Sequence, residues 1–212
     1  MPCSSAPRPT TPTVSERSHL TECGLPGIKH IPYGAHMCNF FRTCEELTAA
    51  LVPYFAAGLR SGERCIWVAS DPLPAVEARA ELAKAGVDVN AAISRGSLIV
   101  RDYSDWYAEA GTLKGNQVVD LWIAEEQRAL ADGYSGLRIT GNVTFLGPDD
   151  WELFMEYEAL VNRSFHGRRI VTLCTYPLVG YGASEVLDVM RRHNCALDRP
   201  DEGWQIVTGG AV

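Results

Sequence analysis

The sequence lacks the phosphate loop by which many nucleotide hydrolases hold ATP. That loop reads Gly-x-x-x-x-Gly-Lys-Ser/Thr, because its backbone amides and its lysine surround the phosphates. After the first predicted strand, the chain instead reads Arg42-Thr43-Cys44-Glu45, without glycine or lysine. We therefore do not expect the protein to hydrolyse ATP.

Other signals are absent as well. No apolar run approaches the roughly 18 residues that a membrane-spanning helix needs, and the N-terminus lacks the apolar core of a signal peptide. No basic run is present, and a net charge of −7 does not favour direct binding of nucleic acid. The seven cysteines include no Cys-x-x-Cys pair, which is typical of reduced thiols. We expect a cytoplasmic protein that binds neither membranes nor nucleic acid directly.

The chain does contain an alternation of helical segments with short apolar strands. Strands are predicted over residues 36–41, 65–70, 98–103, 137–140, 170–176 and 204–207. Helices are predicted over residues 44–58, 72–86, 117–131 and 183–193 and after residue 148, with an irregular stretch over 103–115. This alternation predicts the α/β class: a single three-layer domain with a mostly parallel sheet flanked by helices.

Composition divides the chain into three parts. Residues 1–26 are rich in proline, serine and threonine, and we predict a disordered N-terminal tail there. Residues 27–207 hold the alternating pattern and form the predicted domain, which is long enough to bury a full core. Residues 208–212 are predicted to be a flexible C-terminal end.

A ligand site is expected beyond the C-terminal ends of the strands, where parallel sheets bind their ligands. Aromatic residues near the strand ends would give apolar contacts in such a crevice. Arg138 would offer a fixed fork of donors to an anionic or carbonyl group, and His36 could tune the response near neutral pH. The predicted ligand-binding residues are His36, Cys38, Asp71, Arg138, Asn142 and Tyr176.

Two other kinds of site remain open at this stage. Cys174 lies late in a strand, and with His36 or His193 as its base it would make a cysteine-dependent enzyme. His36 and Cys38 are two residues apart on a strand and share a face, so a third ligand would make a metal sensor. Neither set is complete in the sequence. We therefore predict no catalytic residues, no metal ligands and no cofactor.

Four motifs are specific in combination: Gly58-Leu59-x-x-Gly62-Glu63, Gly136-Leu137-Arg138-x-x-Gly141-Asn142, Tyr157-Glu158-x-x-Val161-Asn162 and Leu173-Cys174-x-Tyr176. Together they resemble the MEDS family, the sensory domain named for methanogens, methylotrophs and the dichloromethane-response repressor. The resemblance covers about residues 29–207. Residues 58–102 also look like the RecA-type ATPases of the KaiC class, which implies a degenerate RecA-like core without a functional phosphate loop.

The resemblance implies a signal-input module for small, hydrocarbon-type compounds. We therefore expect a non-catalytic sensory domain that binds a small-molecule ligand in the strand-end crevice. No DNA-binding or kinase segment is evident in the sequence. We expect the signal to pass to a regulatory protein partner of the kinase, anti-sigma or transcription-factor type, or to act through self-association into a homo-oligomer.

Overall fold

The computed structural model describes residues 19–108, 115–142, 151–200 and 203–208. The predicted N-terminal tail lies outside these residues as far as residue 18, whereas residues 19–26 are described and contain a short strand. Most of the predicted C-terminal end, residues 209–212, also lies outside the described residues.

Strands and helices alternate along most of the described chain. The strands are β1 (Leu20–Glu22), β2 (His30–Pro32), β3 (His36–Phe41), β4 (Arg64–Ala69), β5 (Leu98–Asp102), β6 (Leu137–Asn142), β7 (Ile170–Pro177), β8 (Cys195–Asp198) and β9 (Gln205–Val207). The helices are α1 (Cys44–Arg60), α2 (Ala75–Lys84), α3 (Val89–Ser94), α4 (Tyr103–Ala108), α5 (Gly115–Ala131), α6 (Trp151–Phe165) and α7 (Ala183–Arg192).

Seven strands form one sheet in the order β5-β4-β6-β7-β3-β8-β9. Neighbours from β5 to β8 run parallel, and only the edge strand β9 is antiparallel to its neighbour. Strands β1 and β2 form a separate antiparallel pair. The predicted α/β fold with a mostly parallel sheet is therefore confirmed.

Helices cover both faces of this sheet and produce three layers. Along β4, Cys65 and Trp67 pack into the core beneath α1 and α2, whereas Ile66 and Val68 pack into the core beneath α5 and α6. Such burial of both faces explains why the strands read as nearly continuous apolar runs. A smaller cluster, which includes Val189 of α7, continues the second core towards β3.

The sequence prediction was wrong for one short helix and missed other short elements. The stretch predicted to be irregular begins with α4, and α3 and β8 were not predicted at all. Six-residue helices carry too little periodicity to be recognised, and β8 is ordered by pairing with β3, which is distant in sequence. None of the helices within the described ranges is both long enough and apolar enough to cross a membrane.

Candidate functional site

The predicted ligand-binding residues whose side chains the structure describes do not all lie on one face of the sheet. His36, Cys38 and Tyr176 lie on the face of the sheet covered by α6 and α7. Asp71 follows β4, which is three positions from β3 in the strand order and therefore roughly 14 Å away at the usual strand spacing. Asn142 ends β6 and is opposite Thr175 in the register. Ligand contact at these positions stays a prediction.

Arg138 lies on the other face of the sheet and is fully buried. Its Nε donates to Glu63 Oε2 at 2.5 Å, and its guanidinium lies 4.5 Å from the centre of the Tyr54 ring. Burial opposes the charge, but Glu63 favours it, so the pKa of Arg138 is raised overall. The Nη atoms donate to Tyr54 O, Glu22 O, Cys23 O and Thr21 Oγ1. These contacts use the donors that the sequence analysis assigned to a ligand.

Four metal-ligating side chains meet beneath the opposite face, and we call His36, Glu158, Cys174 and His193 the buried cluster. His36 begins β3, and Cys174 lies in the middle of β7 beside it. Glu158 comes from α6, and His193 directly follows α7. All four residues are buried, and one ligand atom from each lies within 4.8 Å of the others.

Distances within the buried cluster are short. His36 Nε2 is 3.0 Å from Glu158 Oε2 and 3.5 Å from Cys174 Sγ. His193 Nε2 is 3.6 Å from the same carboxylate oxygen, which is itself 4.0 Å from the sulfur atom. The two imidazole rings are tilted against each other with centroids 4.0 Å apart. Tyr176 donates its hydroxyl proton to Glu158 Oε1 at 3.0 Å.

Burial sets the protonation of this cluster. It lowers the pKa of His36 and of His193 to about 3, so both imidazoles are neutral at pH 7. Burial also raises the pKa of Glu158, although His193 and Tyr176 oppose that change. The pKa of Cys174 is raised well above its ordinary value by burial and by the neighbouring Glu158. Cys174 is therefore a thiol at neutral pH.

A cleft at the C-terminal end of β3 is a second candidate site. Its volume is about 310 Å³, and it lies between the ends of β3 and β8. Asn39 is 4% exposed; its Nδ2 donates to Leu197 O at 2.9 Å, but its Oδ1 has no partner within the described ranges. The lining residues are Asn39, Phe40, Arg42, Glu46, Asp198, Arg199, Pro200 and Trp204.

The N-terminus of α1 adjoins the cleft, because Arg42 and Glu46 line it. Thr43 caps the helix by accepting a hydrogen bond from the Glu46 amide at 3.2 Å. Glu46 Oε2 in turn accepts from the Arg42 amide at 2.6 Å. Backbone amides at a helix N-terminus can bind phosphate. Here they face side chains of the chain itself, and two of those side chains, Glu45 and Glu46, are acidic.

Residues 35–194 match the family described as MEDS, the MEthanogen/methylotroph, DcmR Sensory domain. The chain belongs to the MEDS family. The transcriptional repressor DcmR of Methylorubrum extorquens is 27% identical to it over 168 residues, which are 77% of this chain and 59% of DcmR. The chain thus spans about three-fifths of the length of this curated relative. These matches support a sensory, regulatory role.

Solved structures confirm the RecA-like architecture of this MEDS domain. The KaiC-like protein PH0186 from Pyrococcus horikoshii OT3 superimposes with a TM-score of 0.57 at 15% identity, over 89% of this chain and 88% of that protein. The flagellar accessory protein FlaH from Methanocaldococcus jannaschii gives a TM-score of 0.51 at 12% identity, over 84% of this chain and 80% of FlaH. At such low identity the similarity shows the fold alone.

Glu158 and Asn39 of the MEDS domain were not among the predicted site residues. Glu158 nevertheless lies in the buried stripe of α6, together with Met155, Val161 and Phe165. A carboxylate among the apolar positions of an amphipathic helix is unusual, so the sequence alone could have indicated Glu158 as a site residue. Asn39 gave a similar signal as an amide within an apolar strand.

Proposed function

We propose that this MEDS domain is a non-catalytic sensor that binds a small organic molecule in the cleft between β3 and β8. The observation that carries the proposal is the Asn39 side chain, which is nearly fully buried while its Oδ1 lacks a partner among the described residues. An unpaired buried acceptor is costly, and a ligand that donates a hydrogen bond would remove that cost.

The cleft also suggests the chemistry of the ligand. Phe40 and Trp204 offer aromatic surface, and Arg199 makes no hydrogen bond or ion pair within the described part of the chain. The sequence analysis expected Arg138 to donate hydrogen bonds to the ligand, and we assign that role to Arg199. The guanidinium donors of Arg199 are available to a carbonyl or carboxyl group. We infer a small ligand with one such group, one N–H or O–H donor and an apolar part.

Hydrolysis of a nucleotide is not part of this proposal. The N-terminus of α1 is capped by Thr43, and Glu45 and Glu46 in its first turn would repel a phosphate. The chain has no lysine at this turn to neutralise a phosphate. The signal would instead pass to a regulatory protein partner, in keeping with the name of DcmR as a transcriptional repressor.

Calorimetric titration tests ligand binding at the cleft. The probes are short amides and hydroxy acids, which carry the inferred groups, with halogenated methanes and ATP as comparisons that lack this combination. We expect at least one organic probe to bind and ATP not to bind. Asn39→Leu and Arg199→Ala should each abolish the heat of binding, whereas Arg95→Ala, an exposed arginine outside the cleft, should leave it unchanged. Heat that persists in both cleft variants would place the ligand elsewhere.

A cysteine-dependent enzyme is a second candidate, because Cys174 Sγ lies 3.5 Å from His36 Nε2. The surroundings of Cys174 nevertheless argue against an enzyme of this kind. Cys174 is 6% exposed, and its pKa is raised by burial and by Glu158, whereas a nucleophile needs an accessible thiolate.

Iodoacetamide labelling of the folded protein at pH 7 distinguishes the sensor from the enzyme. We expect the partly exposed Cys44 to be alkylated and Cys174 to stay unmodified until denaturant is added. Peptide mass spectrometry reads both sites in one sample. Faster modification of Cys174 than of Cys44 would show an activated nucleophile and favour the enzyme.

A further inference from the structure

The buried cluster has the composition of a metal site rather than that of an ordinary polar network. It combines two imidazoles, one thiol and one carboxylate, which are the ligand types that zinc prefers in proteins. An ordinary polar network pairs donors with acceptors and does not need four of its atoms to share one centre. Here four ligand atoms converge on one point beneath the sheet.

Four of the six distances between these atoms lie near those of a tetrahedral site, and all six are within 4.8 Å. Metal–ligand bonds of about 2.0 to 2.3 Å place the ligand atoms of a tetrahedral site about 3.3 to 3.8 Å apart. In the buried cluster, His36 Nε2 lies 3.5 Å from Cys174 Sγ, and His193 Nε2 lies 3.6 Å from Glu158 Oε2. The other two short distances, 3.0 and 4.0 Å, bracket this range.

Outer contacts orient two of the ligands as a metal site requires. His193 Nδ1 donates to the Val189 carbonyl at 2.8 Å, so its Nε2 carries the lone pair, which the Tyr176 hydroxyl approaches to 3.4 Å. Tyr176 binds Glu158 Oε1 and leaves Oε2 directed at both imidazoles. In known zinc sites, backbone carbonyls and polar side chains hold the metal ligands in place in the same way.

The second ring nitrogen of His36, Nδ1, is available to a neighbouring residue, which would leave Nε2 for an ion. His36 is fully buried, yet its Nδ1 has no partner at hydrogen-bond geometry within the described ranges, and the same holds for Asn162 Oδ1. Asn162 and the Arg192 backbone nonetheless lie close enough to favour a proton on this ring. A small rotation that joins Nδ1–H to Asn162 Oδ1 would satisfy both groups and leave Nε2 of His36 as a ligand.

We propose that His36, Glu158, Cys174 and His193 bind one divalent transition metal ion, with zinc as the first candidate. With four protein ligands the site is closed, which is typical of structural rather than catalytic zinc. The ion would connect β3 and β7 to α6 and to the end of α7. This differs from the metal sensor considered from the sequence, because Cys38 is not a ligand and its sulfur faces the Cys195 carbonyl at 3.7 Å. The proposal does not depend on ligand binding in the cleft, which Asn39 and Arg199 line.

Metal analysis of the full chain tests the site. The protein is unfolded in chelator, refolded with excess Zn²⁺ or Co²⁺, and freed of unbound metal. We expect stoichiometric metal by mass spectrometry, the visible absorption of tetrahedral cobalt, a thiolate-to-cobalt band in the near ultraviolet and a higher melting temperature. A wild-type protein that refolds to its native circular dichroism and retains no metal would overturn the proposal.

Two variants identify the ligands. Cys174→Ser should lose the thiolate-to-cobalt band, while Cys65→Ser should keep it, because Cys65 is an equally buried thiol on the other face of the sheet. His193→Gln should lose most of the bound metal. Equal metal content and identical spectra in wild type and Cys174→Ser would show adventitious binding elsewhere and overturn the proposal, whether or not the cleft binds its ligand.

Discussion

Replacing Glu63 by glutamine is expected to lower the free energy of unfolding by about 3–5 kcal/mol, because it leaves the buried charge of Arg138 without an anionic partner. Both side chains are 0% exposed, and their hydrogen bond is 2.5 Å long. Glutamine keeps the size of the side chain, so the loss would not come from a cavity. Since a domain of this kind has a total stability of about 5–15 kcal/mol, much of it would be lost.

Urea denaturation followed by circular dichroism measures this loss. The matched control is Asp188→Asn, which breaks the exposed ion pair with Arg191 at the surface of α7 and should cost less than about 1 kcal/mol. A Glu63→Gln variant no less stable than this control would show that the buried pair contributes little. The double variant Glu63→Gln/Arg138→Met should be more stable than the sum of the single effects predicts, because the uncompensated charge is gone.

The buried ion pair could not be recognised from the sequence, which is why the sequence analysis assigned Arg138 to a ligand site. In the sequence, Arg138 interrupts an apolar strand, and a charged residue there suggests function. Its partner Glu63 lies 75 residues earlier, directly before β4, and the two residues meet only because β4 and β6 are neighbours in the sheet. The backbone carbonyls around the guanidinium come from α1 and from β1, a strand that was not predicted.

The strands that form the centre of the fold could be predicted, because each is buried on both faces. The runs at residues 36–41 and 170–176 are nearly continuous apolar stretches, and the structure places β3 and β7 there side by side. Strand order could not be predicted in the same way. It depends on which helices cross the sheet, and the local periodicity of a sequence does not contain that information.

Three of the four residues of the buried cluster were considered as site residues from the sequence, and Glu158 was not. His36 was predicted on its strand, and Cys174 was considered as a nucleophile with His36 or His193 beside it. Their convergence required β3 and β7 to be adjacent and required α6 to direct Glu158 at both histidines. Chain separations of up to 157 residues, from His36 to His193, hide such a set from any local motif.

Gly58→Ala is expected to destabilise the protein by about 1–3 kcal/mol through overpacking, although alanine is intrinsically better than glycine in a helix by about 1 kcal/mol. Gly58 lies inside α1 and begins the motif Gly58-Leu59-x-x-Gly62-Glu63. A Cβ atom there would lie 2.6 Å from Cδ and Nε of Arg138 and 2.8 Å from Cys65 Sγ. The guanidinium is held by Glu63 and cannot move away without breaking its buried hydrogen bonds.

Thermal and urea unfolding of Gly58→Ala measure the net effect, and Ala80→Gly on the exposed side of α2 gives the intrinsic difference between the two residues. Both substitutions should destabilise, although they change helix propensity in opposite directions. A Gly58→Ala protein more stable than wild type would mean that Arg138 has room to shift, and the overpacking expected at this position would be wrong. If the variant is destabilised as expected, the glycine in this motif is explained by the space that a buried arginine needs beneath α1, and not by a turn or by contact with a ligand.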